Sequence, residues 1–345
     1  MHLELVVSAL FAAQDLPPAP LPALELLLAR GRRTDGEPCN LEAWLGRAFG
    51  AAGPSSAAPS VSAGALTALA HGLNPGTQQW LRADPVHLRA DRDRLLLVPS
   101  QAFAMTAEEA RALADALAPL LAGHFTLHPL APDQWCLRVE DENDFNSRNG
   151  IAVDAQPPIE LAGVNIDPHL PPKPWLPLLT EIQMALYEHP VNTAREKRGD
   201  PVINSLWLWG AGKLPQAARG PWQSVGAGNA VALGFARLAG MRHRAPGAGA
   251  VEWLGRAPED GRHLLALDDL RGVHALGDLD ALARRLQALE ANWFAPLLAA
   301  LKAGRIGMLT VNAPEAGASF ETVRGDLHRF WRRPRPLATY GITRA

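Results

Sequence analysis

The run over residues 181–213, EIQMALYEHPVNTAREKRGDPVINSLWLWGAGK, constrains this chain more than any other. It sets Glu188, His189, Asn192, Arg195 and Glu196 in a helix exit and the turn after it, directly ahead of an apolar strand that ends in Gly210-Ala211-Gly212-Lys213. A plain core segment needs far fewer polar groups beside a buried strand. Leu178, Leu179, Ile182 and Leu186 recur at helical spacing and make one apolar face, with Glu181 and Glu188 on another. Pro190 biases His189 out of helical geometry, so the helix is expected to stop there. Thr193 and Glu196 repeat a capping-box spacing and Gly199 closes a short helix. The strand is expected over residues 202–209.

At 345 residues the chain has room for two domains, or for one large α/β domain with an insertion. An apolar fraction of 48% and a charged fraction of 20% fit a soluble globular protein. A net charge of −2 argues against nucleic-acid partners and against a polybasic membrane surface. Cys39 and Cys136 form no CxxC or zinc spacing and read as buried, reduced thiols of a cytoplasmic protein. The opening MHLELVVSALFAAQ carries Glu4 and no basic lead-in, which fits a first strand better than a secretory signal. No apolar run is long enough to span a bilayer. Trp207 and Trp209 alternate on the strand, and the other tryptophans are scattered, as core filling would have them.

Residues 3–7 read as a strand, 21–30 and 41–49 as helices, 51–64 as a surface loop and 65–71 as a helix. Residues 86–89 and 94–98 read as paired strands around Asp91-Arg92-Asp93. Thr106 and Glu109 have capping-box spacing and open a helix to about residue 121. Residues 135–139 read as a strand, and 140–158, with Asn149-Gly150, as a loop. Residues 263–267 and 306–311 read as strands, and Leu279, Leu282, Leu286, Leu289 and Trp293 as one amphipathic helix. Apolar strands with intervening helices thus stand at both ends of the chain. That order predicts an α/β fold, a mostly parallel core from 1–82 and 202–345, with an inserted α+β domain over 83–201.

His189-Pro190-Val191-Asn192, Arg195, Gly199 and the run Asn204-Ser205-Leu206-Trp207-Leu208-Trp209-Gly210-Ala211-Gly212 resemble the corresponding run of the archaeal-type cofactor-independent phosphoglycerate mutases. Those enzymes belong to the alkaline phosphatase superfamily. Weaker similarity lies in residues 22–31, 66–75 and 106–110. A bacterial group of RpfE-type regulatory proteins is similar over nearly the whole length, through QMALYEHPVN, LWLWG, WFAPLLAAL and RFWRRPRPLA. The resemblance implies an alkaline-phosphatase-like core with an inserted domain; it does not by itself imply catalysis.

In that superfamily phosphoryl transfer uses two metal ions, a Ser or Thr nucleophile and roughly six Asp/His ligands. The resemblance calls for an Asp after the first strand, where this chain reads Ser8-Ala9-Leu10-Phe11, with Asp15 the nearest acid. It calls for a nucleophile before residue 66, where Ser60 and Ser62 stand without the usual Ser-Asp pair; Ser62 is the candidate. It calls for Asp-His after the late strand, where Asn312-Ala313-Pro314 follow Val311. Asp268, Asp269, His274 and Asp278 are similar to a ligand segment, with altered spacing. The expectation is a phosphoglycerate-mutase-like protein with a degenerate metal site and no cofactor, acting on a protein partner or a phosphorylated small molecule. The alternative is a metal-dependent phosphomutase or phosphatase using manganese, magnesium or zinc.

Each candidate has a plainer reading. Asp268, Asp269, His274 and Asp278 either bind one metal or are helix-end groups, with Asp278 an N-cap. Gly210, Gly212 and Lys213 either cradle a phosphate or form a tight strand exit. Glu188, His189, Asn192 and Arg195 either hold an anion or pin the helix end to the strand. Arg324, Arg329, Arg332, Arg333 and Arg335 around Trp331 either meet an acidic partner or are a solvated tail. His71, His87, His124 and His128 lack metal spacing.

Overall fold

A computed structural model of the chain describes residues 1–12, 20–51, 61–147, 156–257 and 260–341. Asp15, Ser60 and Asn149-Gly150, with parts of the 51–64 and 140–158 loops, lie outside these residues. The chain divides into two compact units, one of Met1–Gly50 with Ala218–Ala345 and one of Ala51–Ala217.

Strands β1 (His2–Val7) and β2 (Arg32–Asp35) open the first unit. The second holds β3 (Gln79–Asp91), β4 (Arg94–Pro99), β5 (Phe125–Ala131), β6 (Gln134–Val139) and β7 (Ser205–Lys213). The first resumes with β8 (Ser224–Ala227), β9 (Arg242–Arg244), β10 (Arg262–Leu267), β11 (Met308–Ala313) and β12 (Ala318–Val323).

In the first unit the sheet order is β2-β12-β11-β1-β10-β8-β9. β1 pairs parallel with both β10 and β11, β8 lies parallel to β10 and β9, and β12 alone runs opposite, antiparallel to both β11 and β2. This is the expected α/β class with a mostly parallel sheet. The two-residue side-chain period of a strand sorts β1 by face. Leu3, Leu5 and Val7 enter a core with Leu265, Leu267, Leu309 and Val311. On the other face His2 Nε2 meets Thr310 Oγ1 at 3.0 Å, and Glu4 accepts from Trp222 Nε1 at 2.9 Å and Asn312 Nδ2 at 3.1 Å.

Helix Pro22–Arg30 starts at Leu21, which offers no capping side chain. The carboxylate of Glu290 takes that place, accepting from Ala23 N at 2.6 Å and Leu24 N at 3.1 Å. Glu290 opens a π-helical turn, Glu290–Phe294, so the helix expected over 279–293 is α only over Leu279–Leu289. At the other end of Pro22–Arg30, Arg329 and Arg332 donate to the carbonyls of Arg30 and Gly31 at 3.2 and 2.9 Å. Two arginines of the basic tail are thus helix C-terminal partners, while Trp331 remains exposed.

The second unit is an antiparallel sheet covered by helices. Thirteen-residue β3 meets β6 along 80–82, β4 along 86–91 and β7 along 79–86. It begins at Gln79 instead of the expected 86, because Arg82 and Asp84 interrupt its apolar pattern and yet are buried. The β3–β7 ladder keeps residues 205–213 in this unit, so the boundaries fall at 50/51 and 217/218 and not at 82/83 and 201/202. β5 occupies a segment with no expected element, its Pro129 at a register irregularity, and a short helix, Glu142–Ser147, lies in the expected loop. Cys136 is buried, but Cys39 is only half-buried.

β7 also runs on through Gly210-Ala211-Gly212-Lys213, where a strand exit was expected. Opposite Trp80–Arg82 its register slips, so the three steps from Trp209 to Gly212 face two on β3. Gly210 absorbs this bulge at φ +59°, and a Cβ there would lie 2.5 Å from the Ala63 Cβ. Gly163 also has positive φ, at +72°, but faces open space. Gly210→Ala should therefore cost the left-handed penalty and a clash, about 2–4 kcal/mol. Gly163→Ala should cost the first alone, about 1 kcal/mol. Urea unfolding of both variants checks this; equal losses would mean that close packing at Gly210 is unimportant.

Candidate functional site

Parallel strands bring their C-terminal ends to one edge of the sheet, where open α/β folds bind ligands. In the first unit the ends of β1, β8, β10 and β11 carry Ser8, Asn229, Asp268 and the segment Asn312–Glu315. Ser8 is fully buried, and its hydroxyl donates to Glu315 Oε1. The Ala9 N–H donates to Glu315 Oε2 at 3.1 Å, with Ala9 held at φ +57°, a left-handed conformation rare outside glycine. Asn312 turns its amide inward, donating to Glu4 Oε1 at 3.1 Å and to the Leu5 carbonyl at 3.2 Å.

Arg271 brings a positive charge to this edge. Its two terminal nitrogens each reach a Glu42 oxygen at 2.8 Å in a bidentate pair that is largely buried. Burial alone would push the Glu42 carboxyl up, but the Arg271 guanidinium and a bond from Asn229 hold it below its ordinary value. Asn229 Oδ1 also caps helix Ala230–Leu238 through Val231 N and Ala232 N at 2.9 and 3.1 Å. The Asp268 carboxyl is pushed up by burial, against the pull of the same arginine.

The expected metal group does not converge. Asp268 precedes helix Asp269–Ala275 without a capping bond, while Asp269 and His274 are exposed on that helix. Asp278 caps helix Leu279–Leu289, accepting from Ala281 N at 2.8 Å. Among the described residues no group of three or more His, Cys, Asp or Glu side chains is placed to hold a metal ion.

In the second unit, half-buried Ser62 precedes helix Ala63–Ala70 and makes no capping bond. The position of a Cβ on Gly212 coincides with the Ser62 side chain, so this glycine serves close packing. Lys213 Nζ pairs with Glu142 at 2.8 Å on the surface.

The polar run at 188–195 divides by role. Glu188 is exposed beyond helix Leu176–Tyr187. His189 and Pro190, not Thr193, start the next helix, Pro190–Arg198: His189 Nδ1 accepts from Val191 N at 3.2 Å and Pro190 takes the first position. Gly199 closes it at φ +77°. Buried Asn192 donates to the carbonyls of Leu186 and Ile203 at 2.7 Å each and accepts from Ile203 N at 2.8 Å. These bonds tie the start of this helix to the end of the preceding one and to the chain entering β7. Arg195, almost fully buried, donates to Pro201 O and to Glu109 Oε2 at 2.8 Å each and lies 5.3 Å over the Phe103 ring. Glu109 also takes Arg198 at 2.7 Å and closes the capping box with Thr106.

A second buried ionic cluster has no counterpart in the sequence reading. Arg82 pairs with Asp84, donates to Thr67 Oγ1 at 3.1 Å and lies 5.3 Å over Trp209, whose indole N–H donates to Asp84 at 2.8 Å. The signal was an Arg and an Asp two residues apart in an apolar stretch, and so on one strand face. Burial pushes the adjacent Cys136 thiol up to about 12, which leaves it protonated and unreactive at neutral pH.

No family model matches the chain. A probable 2,3-bisphosphoglycerate-independent phosphoglycerate mutase of Geobacter sulfurreducens is 36% identical over 76 residues, 21% of this chain and 19% of that protein. The 2,3-bisphosphoglycerate-independent phosphoglycerate mutase of Methanosarcina mazei is 32% identical over 71 residues, 19% of this chain and 18% of that protein. The chain thus matches less than a fifth of the length of these curated relatives. The PH0037 protein of Pyrococcus horikoshii superposes with a TM-score of 0.52 at 15% identity, over 93% of this chain and 87% of that one, a likeness of fold. A cofactor-independent phosphoglycerate mutase of Thermoplasma acidophilum superposes at 0.41 and 18% identity, over 94% and 90%, too loosely to argue from. Part of the chain is therefore similar to phosphoglycerate mutases of the cofactor-independent type.

Asn192→Ala should strand two buried carbonyls and one N–H, lowering stability by about 3 kcal/mol in urea unfolding. A loss below about 1 kcal/mol would mean that water replaces the amide. Burial raises the Glu109 carboxyl, but bonds from Thr106 and Arg198 and the charge of Arg195 hold it below its ordinary 4.5. A depressed folded value means stabilisation that is present above about pH 4.5 and lost as pH falls through the folded value. The stability difference between the parent and Glu109→Gln should be constant from pH 5 to 7 and shrink at lower pH, as followed by thermal melting.

Proposed function

We propose that this chain is a phosphoglycerate-mutase-like protein whose metal site is degenerate, and that it works as a regulatory or binding protein of the RpfE type in the cytoplasm. The observation that carries this reading is the bonding at the ends of β1 and β11. A two-metal phosphoryl-transfer site needs carboxylate and imidazole lone pairs pointing at the ions. At the end of β1 stand Ser8 and Ala9, and both donate to Glu315. The Asn312 amide is committed to Glu4 and Leu5, and Glu42 to Arg271. The residues described do not fit a divalent pair. A guanidinium at this edge balances carboxylate charge without offering an open coordination position. Such a scaffold suits a protein partner or a phosphorylated small molecule. The partial similarity to phosphoglycerate mutases supports the ancestry of the scaffold; the loss of chemistry rests on the bonding.

The test incubates the purified chain with manganese, magnesium or zinc, removes free ion, and measures bound metal together with mutase and general phosphatase activity. The expected result is substoichiometric metal and no turnover. Stoichiometric metal with turnover that Asp269→Ala and Ser62→Ala abolish would overturn the proposal and establish a rewired metal-dependent phosphotransferase.

A further inference from the structure

β9 is the end strand of the first unit's sheet, with β8 its sheet neighbour. Beside it lies a cleft of about 510 Å³ lined by Arg242, His243, Arg244, Arg256, Met241 and Ser224, with Gly240. Among the described residues, three guanidinium groups share this lining and no carboxylate does. Charged residues on an edge strand commonly serve to block aggregation, but that purpose requires only charges in solvent. Here one of the arginines is fixed. Arg244 donates to the carbonyls of Trp253 and Arg256 at 3.2 and 3.3 Å, and its guanidinium lies 5.8 Å from the Trp253 ring. A guanidinium has five N–H groups, so this anchoring leaves donors free, and a side chain already ordered loses less entropy on binding.

The other two arginines are available. The Arg242 side chain makes no hydrogen bond or ion pair with the described residues, and the residue is exposed. Arg256 pairs with Glu252 at 2.7 Å one helical turn away but remains 65% exposed. His243 is held in place, with Nε2 3.1 Å from Arg237 Nε and Nδ1 3.1 Å from the Met241 carbonyl oxygen. Arg242 and Arg244 also reach His263 electrostatically, where they add to burial in pushing that imidazole's pKa down. Their fields therefore add at this end of the sheet.

We propose that the β9 cleft binds an oligophosphate, an anion with two or more adjoining phosphate groups. Arginine forks match phosphate oxygens two at a time, and three of them around one cleft exceed what a single phosphate needs. Among the described residues of the lining, Met241 is the one large apolar side chain and none is aromatic. The cleft reads phosphates and not a base, so free polyphosphate and a nucleoside triphosphate should bind alike. This inference stands apart from the fate of the metal site.

The test is calorimetric titration of the full chain with inorganic tripolyphosphate, ATP without metal, orthophosphate and a polyglutamate peptide at low salt. Tripolyphosphate and ATP should bind with similar affinity, orthophosphate much more weakly, and both affinities should fall with salt. Arg242→Gln and Arg256→Gln, on exposed side chains, should each weaken tripolyphosphate about tenfold, with unchanged melting temperatures. Arg284→Gln, an equal charge change on helix Leu279–Leu289, should leave it unchanged. Absence of tripolyphosphate binding, equal loss in Arg284→Gln, or equal binding of polyglutamate would each overturn the proposal. ATP binding far tighter than tripolyphosphate would overturn the claim that the phosphates alone are read.

Discussion

The pairing of β1 with β10 on one side and β11 on the other is the interaction on which the first unit depends. It puts a strand from the first residues of the chain at the middle of a sheet whose neighbouring strands come from residues 262–267 and 308–313. Its odd side chains fill the core. Its even side is more demanding, because Glu4 places a carboxylate on a central strand. Such a group costs several kcal/mol unless it is hydrogen-bonded, and Trp222 and Asn312 supply the donors. This couples the middle of β1 to the end of β11. An aspartate at 312 would set one carboxylate against another, and each would oppose the other's ionisation. The presence of Asn312 where the resemblance calls for an acid is thus tied to the presence of Glu4.

Internal bonds of the same kind recur along that edge. Glu315 closes onto Ser8 and Ala9, and Arg271 bridges toward Glu42 and Asp268. A buried pair of this kind gives no assurance of net stability. It does fix where charge sits, and it neutralises the edge with a group that does not exchange.

Much of the architecture is legible in the sequence, because local signals sufficed for it. The Thr106 capping box, the stop at Gly199 and the apolar runs of β1 and β10 depend on neighbours a few residues away. What escaped depends on distant partners. Arg82 and Asp84 look like surface residues until Trp209 and Thr67 are brought to them. Leu21 looks like an uncapped helix start until Glu290 arrives. Thr193 and Glu196 mimic a helix start, but with Pro190 in the first helical position the N-cap is His189, four residues earlier. Among the candidate site residues, the density of polar groups at 188–195 singled out Asn192 and Arg195. Their bonds with Ile203 and Glu109 are what make them bracing elements.

The discontinuity of the first unit bears on the order in which the chain acquires structure during synthesis. Residues 51–217 contain every strand of their own sheet, so that unit has all its sheet partners once it has emerged. β1 and helix Pro22–Arg30 emerge earlier but find their parallel neighbours, at residues 262–267 and 308–313, and their Glu290 cap only when most of the chain has been made. At roughly 5–20 residues per second this is a wait of about ten to sixty seconds. Throughout it an apolar strand with both edges open and an uncapped helix are held on the ribosome. The segment most exposed to chaperones and to wrong pairing is therefore the one that becomes the centre of the sheet.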